Sequence, residues 1–367
     1  MYKKFVMSIA AMAALTLVSC SSDDLDSVSG NSSKNEAISF DGYLGRSAVA
    51  VNGTRGSVET VPTLKTNGFG VFSTHTGEAS FSDFNNQQVT YKYEKWTYTP
   101  IKYWPTTSGT INFLAYAPYV QGKQLTNNTC MEFDVAHDVA NQKDLLWSRV
   151  KAQINTPITS TNNKVKFQFA HALSRLGYTI KLHDIYSSAK FTLKKITLAG
   201  SPDETTKAFY TKGTIDLSKV KDEPTGDVPA GLWNTSSSDK QNFDWVSTPY
   251  DLTSTDASDP DKDNYLFVIP QDFSKDKTTE NPNVDELYII VQYTIKYDGA
   301  GEQTNTVYKQ IKRNFKQGKA YMLNLTIGLP IEFDVDLTEG VGVDGWGADE
   351  EINIGSGSND NLWDGIK

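Results

Sequence analysis

Cysteine is close to missing from this chain: 367 residues contain two, Cys20 and Cys130. No disulfide framework can be built from that, so the fold must hold through an apolar core. Clustered basic residues are missing as well. Lys and Arg number 35 against 44 Asp and Glu, and the formal net charge is −9. Nucleic acid is therefore excluded as a partner, because phosphate binding needs Lys and Arg gathered in one place. Histidine is scarce. His75, His137, His171 and His183 are the four present, and none shows a ligand spacing such as His-Glu-x-x-His. Neither a Gly-x-Ser-x-Gly elbow nor a phosphate loop nor a dinucleotide fingerprint occurs. Nothing in the sequence argues for an enzyme, a cofactor or a metal. No stretch has the pattern of a long amphipathic helix.

The first residues are what the chain does have. MYKKFVMSIAAMAALTLVSC places Lys3 and Lys4 ahead of an apolar run from Phe5 to Val18. At about 1.5 Å per residue that run is too short for roughly 30 Å of hydrocarbon, so it reads as a secretory signal. Leu17-Val18-Ser19-Cys20 resembles a bacterial lipobox, which implies that Cys20 is acylated and becomes the first residue of an outer-membrane lipoprotein. Cys130 would then be alone. Several acyl chains, at about 0.8 kcal/mol per buried CH₂, anchor stably where one is marginal. Residues 21–36 have almost no apolar content and read as a tether. Asp23, Asp24 and Asp26 resemble the surface-export signal of lipoproteins in Gram-negative anaerobes. Asp26-Ser27-Val28 resembles their O-glycosylation acceptor, making Ser27 a candidate site.

Aromatic residues are abundant, with 18 Tyr, 17 Phe and 7 Trp. With frequent Thr and Val they favour strands. Alternation predicts strands at Ile38-Ser39-Phe40, Gly68 to Phe72, Val89 to Trp96, Ile111 to Pro118 and Val165 to Phe169. Further strands are expected at Tyr178 to Leu182, Phe191 to Leu198, Thr214 to Leu217, Tyr265 to Ile269, Leu287 to Tyr297, Val307 to Ile311 and Tyr321 to Ile327. Ala170 to Leu176 reads as a single helical turn, and residues 200–262 as long polar loops. Ile331, Phe333, Val335 and Leu337 alternate with Glu332, Asp334 and Asp336. Many short strands with regular turn signals mean a β-sandwich or barrel. A polar, Pro-bearing stretch at 151–163 marks a domain boundary.

Three constellations carry little chemistry. Asp259, Asp261 and Asp263 alternate like half of a Ca²⁺ loop, but Asn264 and Pro270 stand where Gly and Glu are needed. Glu332, Asp334 and Asp336 fit an edge strand blunted by charge. Trp96, Tyr98, Tyr103 and Trp104 could stack on sugar rings, although strand-end aromatics are more often core. His171 sits in an apolar setting and is expected to be a hydrogen-bonded structural residue.

Taken in order, the chain resembles the fimbrillin family. The resemblance runs through Ile38-Ser39-Phe40, Thr54-Arg55, Gly68 to Phe72, Lys102-Tyr103-Trp104-Pro105, Phe113 to Pro118 and Lys143-Asp144-Leu145-Leu146. It continues through Phe169 to Leu176, Ile269-Pro270-Gln271, Gly318 to Tyr321, Trp346 and Ile352-Asn353-Ile354. It implies an all-β chain with two tandem transthyretin-like Greek-key β-sandwich domains. The expected division is a signal peptide at 1–19, a tether at 20–36, an N-terminal domain at 37–157, a C-terminal domain at 158–354 and a tail at 355–367. It also implies a stalk, tip or anchor subunit of fimbriae. The resemblance implies that cleavage after an Arg releases an N-terminal strand and that a neighbour's C-terminal strand fills the groove by β-augmentation. Arg46 and Arg55 are both candidates. Partners would be other fimbrial subunits and the outer membrane, with a host protein or glycan as candidate ligand. The competing expectation is a monomeric, surface-exposed glycan-binding lipoprotein.

Overall fold

A computed structural model describes residues 36–44, 58–77, 79–153, 164–183, 189–219, 232–235, 239–246, 248–254, 265–328, 350–354 and 365–366. The described elements all belong to the unit Asn35–Lys367. In the first half these are β1 (Ser39–Leu44), α1 (Val61–Asn67), β2 (Phe69–Thr76), β3 (Gln87–Lys92), β4 (Lys95–Thr97) and β5 (Thr110–Ala117). They continue with β6 (Leu125–Thr126), β7 (Cys130–Asp134), β8 (Leu146–Gln153) and β9 (Lys164–His171). The second half begins with β10 (Ser174–Leu182), β11 (Ala189–Ala199), β12 (Phe209–Tyr210), β13 (Lys212–Asp216), β14 (Trp233–Thr235) and β15 (Lys240–Gln241). Then come β16 (Phe243–Asp244), β17 (Tyr250–Asp251), β18 (Leu266–Val268), β19 (Gln271–Asp272) and β20 (Tyr288–Tyr297). It closes with β21 (Gln303–Gln310), β22 (Asn314–Phe315), β23 (Ala320–Ile327), β24 (Glu350–Ile354) and β25 (Gly365–Ile366). The fold is nearly all β, with its sheets layered like a sandwich.

The first sheet has the order β1-β9-β8-β5-β2-β3-β4. Its central strands are buried on both faces, so they read as continuous apolar runs rather than alternation. Neighbouring residues go to opposite cores. Phe69, Val71, Phe113, Ala115 and Leu146 enter one hydrophobic cluster. Phe72, Leu114, Tyr116 and Trp147 enter the other. That second cluster is completed by β10, β11, β18, β20 and β23, through residues such as Leu176, Leu193, Phe267, Val291 and Leu323. The sheet is thus a wall shared by two cores.

Two further sheets dominate the second half, β18-β10-β23-β24 and β16-β11-β20-β21-β25. In the first, β23 runs parallel to both β10 and β24. In the second, β11 and β20 form a long antiparallel ladder from Ala189↔Tyr297 to Ala199↔Tyr288.

Several expectations are corrected. The single strand expected from Val89 to Trp96 is a hairpin, β3 and β4, reversing at Tyr93 and Glu94 with φ of 50° and 62°. Ala170 to Leu176 is no helical turn: β9 ends at His171 and β10 starts at Ser174. Strand β9, expected to open the second half, pairs with β1 and β8 of the first sheet. The change of sheet therefore falls at Ala172-Leu173, while residues 154–163 lie outside the described set. The stretch 200–262 holds β12 to β17 besides loops. Helix α1 was not expected. Thr60 caps it in a reciprocal box with Thr63, Pro62 sits in its first turn, and Gly68 at φ 68° ends it. The alternating segment 331–337 is outside the described residues.

The β3–β4 turn yields a prediction. Two consecutive residues at positive φ define a turn that Asn-Gly fits and Tyr-Glu does not. The double change Tyr93→Asn and Glu94→Gly should raise stability by about 0.5–1 kcal/mol, read as a higher Tm.

Candidate strand-docking groove around β1

Strand β1 lies in a seat made by two different parts of the chain. On one side it pairs in parallel with β9, in register from Ser39↔Lys164 to Leu44↔Phe169. On the other side the residues just before it are zipped to 102–104. The Ile38 amide donates to the Lys102 carbonyl at 2.8 Å, and the Trp104 amide to the Glu36 carbonyl at 2.9 Å. The Tyr98 hydroxyl donates to the Ile38 carbonyl at 2.7 Å. Burial holds this phenol far from water and pushes its pKa up to about 12.

Alternation sends Ile38, Phe40 and Leu44 inward, all buried. Each is worth about 1.5–3 kcal/mol of burial. Phe40 sits among four aromatic rings, with centroids at 5.3 Å from Phe84, 5.1 Å from Tyr98, 6.0 Å from Phe113 and 5.7 Å from Phe167. Gly42 marks the tight place in the seat. A Cβ there would lie 3.1 Å from the Phe69 ring and 3.3 Å from the Phe169 ring. Ser39, Asp41 and Tyr43 take the alternate positions, none of them buried.

After β1 the chain is fixed again at Glu59. The Glu59 amide donates to Asp144 Oδ2 at 3.1 Å, and the Leu145 amide to Asp144 Oδ1 at 2.8 Å. His171 Nδ1 meets Asp144 Oδ2 at 2.7 Å, with both side chains fully buried. His171 is thus the hydrogen-bonded residue its apolar setting suggested. Its own carbonyl accepts from Gln317 Nε2 at 3.1 Å. The Glu59 carboxyl accepts from Asn67 Nδ2 at 2.7 Å through Oε1, while Oε2 is buried without a hydrogen bond. Burial first, and the nearby Asp144 charge second, raise the Glu59 pKa to about 7. This cluster joins residues far apart in sequence, and no spacing rule would find it.

Arg46 and Arg55 both fall in the link between β1 and Glu59, and that link lies outside the described residues. Cys20, Ser27 and the Asp259, Asp261, Asp263 run are also outside them. Among the described residues no group of His, Cys, Asp or Glu is arranged to hold a metal. Nor does any described helix have the length and apolarity to cross a membrane. The four aromatics considered for sugar stacking do not form a platform. Tyr98 and Trp104 are core residues, Trp96 packs on Phe69 and Tyr91, and Tyr103 alone is well exposed.

The seat of β1 within an all-β fold is the feature that comparison with known proteins sets in context. Residues 54–346 match the family described as fimbrillin-like, and the chain belongs to that family. Fimbrium subunit Fim1C of Phocaeicola vulgatus is 25% identical, over 94% of this chain and 98% of its own length. The crystal structure of a fimbrial protein from Bacteroides vulgatus shares the fold with a TM-score of 0.52 and 20% identity, covering 80% of this chain and 96% of that one.

Glu59 gives the second prediction. Its pKa is higher folded than unfolded, so the folded state holds the extra proton between about pH 4.5 and 7. Stability from this group is fully present below the lower value and is lost as pH rises through the upper one. Glu59→Gln should remove that loss, making the variant more stable than the parent near pH 8 by up to about 3 kcal/mol and similar near pH 5. Thermal melts at the two pH values check it.

Proposed function

We propose that this chain is a structural and adhesive subunit of cell-surface fimbriae, as stalk, tip or anchor, assembled by protease-triggered donor-strand exchange. The observation that carries the reading is the seating of β1. It is held by packing and by its ladder to β9, the residues just before it bond to 102–104, and its only covalent tie to Glu59 and the rest of the fold is the link 45–57, which contains Arg46 and Arg55. A cut after either Arg leaves β1 attached to the N-terminal segment alone. Its departure opens an apolar groove and frees backbone donors and acceptors, which are costly to leave unsatisfied. A strand from another subunit restores both. Repeated head to tail, that contact does not close, and a fibre grows.

The same proposal includes export as a lipoprotein acylated at Cys20 and anchored in the outer membrane, with Ser27 as a glycan acceptor. It also includes two tandem transthyretin-like sandwiches. One hydrophobic cluster, built wholly from residues between Ile38 and Phe169, supports an N-terminal sandwich that includes β9, while the other also draws on Phe72, Leu114, Tyr116 and Trp147 of the first sheet. The rival reading, a monomeric glycan-binding lipoprotein, lost its main support when Tyr98 and Trp104 proved to be core residues.

An arginine-specific protease tests the assembly. Native protein should be cut after Arg46 or Arg55, release the fragment holding β1, and form ladders on a native gel. Replacing both Arg residues by Ala should abolish cut and ladder together. Cleavage with neither strand loss nor oligomers would overturn the proposal.

A further inference from the structure

A cavity of about 210 Å³, separate from the seat of β1, opens between the end of β5 and β7. Tyr116 on β5, Met131 and Phe133 on β7, and Leu145 just before β8 line it, with Pro118 and Val120. Met131 and Phe133 are two apart on one strand, so they share a face. Tyr116, Met131 and Leu145 are buried and form the floor, Phe133 is half-buried, and Val120 at the mouth is 44% exposed. Polar groups on the floor are already engaged. The Tyr116 hydroxyl lies 2.7 Å from Asn86 Oδ1 and 2.9 Å from the Val120 carbonyl. Asp144 also lines the cavity, but its oxygens accept from the Glu59 and Leu145 amides and meet His171. A ligand reaching the floor therefore meets an apolar surface.

The mouth is different. Lys123, Asp134, Asn141 and Lys143 line it, and none is buried. Lys123 Nζ donates to the Glu132 carbonyl at 2.7 Å and keeps two further protons for other acceptors. Asn141 Nδ2 donates to Asp138 Oδ2 at 3.0 Å. In a chain of net charge −9, the groups lining this mouth include two ammonium groups and one exposed carboxylate, Asp134.

We infer that this cavity is a binding site for a small aryl-substituted carboxylate, with its ring on Met131, Phe133 and Leu145 and its anionic group toward Lys123 and Lys143. Size, floor and mouth each narrow the choice. An apolar cavity of about 150 Å³ takes benzene, so this one has room for a single ring and a short chain. A sugar would press hydroxyls against Met131, Phe133 and Leu145 with no partner for them, which is costly. An amine would bring a third cation to the two lysines. Met131 suits such a floor, because its unbranched thioether adapts to a ring. The inference stands apart from strand exchange, since none of these residues belongs to β1 or to the link 45–57.

The test is isothermal titration of the uncut full chain with 3-phenylpropionate, 3-phenylpropan-1-amine and glucose. The carboxylate should bind at a single saturable site, with the amine at least tenfold weaker and glucose showing no heat of binding. Two variants locate the site, both at positions that are not buried: Val120→Trp, which closes the mouth, and Lys123→Glu with Lys143→Glu, which reverses its charge. Each should weaken the carboxylate at least tenfold while leaving the Tm within a few degrees of the parent. The charge reversal should also narrow or invert the preference over the amine. Absence of saturable binding up to about 10 mM would overturn the inference. So would equal binding of the amine by the parent, or carboxylate binding that neither variant alters.

Discussion

The packing of Phe40 into its aromatic surround ties β1, at one edge of the first sheet, to segments spread across it. The four rings come from different places: Phe84 from the loop before β3, Tyr98 from the end of β4, Phe113 from β5 and Phe167 from β9. A single side chain therefore brings together the segment near β4, the last strand of the sheet order, and β9, the second. Among the described residues Cys130 is a free thiol, so no covalent bridge takes over that task. Apolar burial must do it, and burial is reversible. An interaction of that kind forms and parts without breaking a covalent bond inside the core.

The polar anchor at Glu59 complements this arrangement. Desolvating two carboxyl groups is costly unless hydrogen bonds and a counter-charge offset it. Asp144 has two backbone amides and His171 around it, while Glu59 keeps one oxygen without a donor and shifts toward its neutral form instead. The result fixes the chain a few residues after Arg55, beside the start of α1. The mobile partner in any exchange would thus be β1, and the downstream fold would keep its place.

Much of the architecture was legible because strands with one polar face announce themselves. β9, with Val165, Phe167 and Phe169 alternating with charged and polar residues, shows it plainly. Failures had physical causes. The alternation of Val89, Tyr91 and Tyr93 runs straight into the turn at Tyr93-Glu94, where neither residue is a turn former. α1 buries Leu64 alone, so no helical stripe exists to be seen, although Thr60, Thr63 and Pro62 are start signals. The Glu59, Asp144 and His171 cluster joins positions 85 and 27 residues apart, which only the fold brings together. The seat of β1 was legible as a strand but not as a pocket, since its rings are scattered along more than a hundred residues.

The grip on β1 and on the residues just before it also bears on mechanics. A segment joined lengthwise to β9 through residues 39–44, and to 102–104 through the residues just before them, when pulled along its own axis, loads all its hydrogen bonds at once. Such a joint fails in shear, with the bonds giving way together. A strand peeled from its end instead loses them one after another. Any chain seated here in the manner of β1 would join its neighbour through the stronger of these two geometries, with the tension directed along the strand.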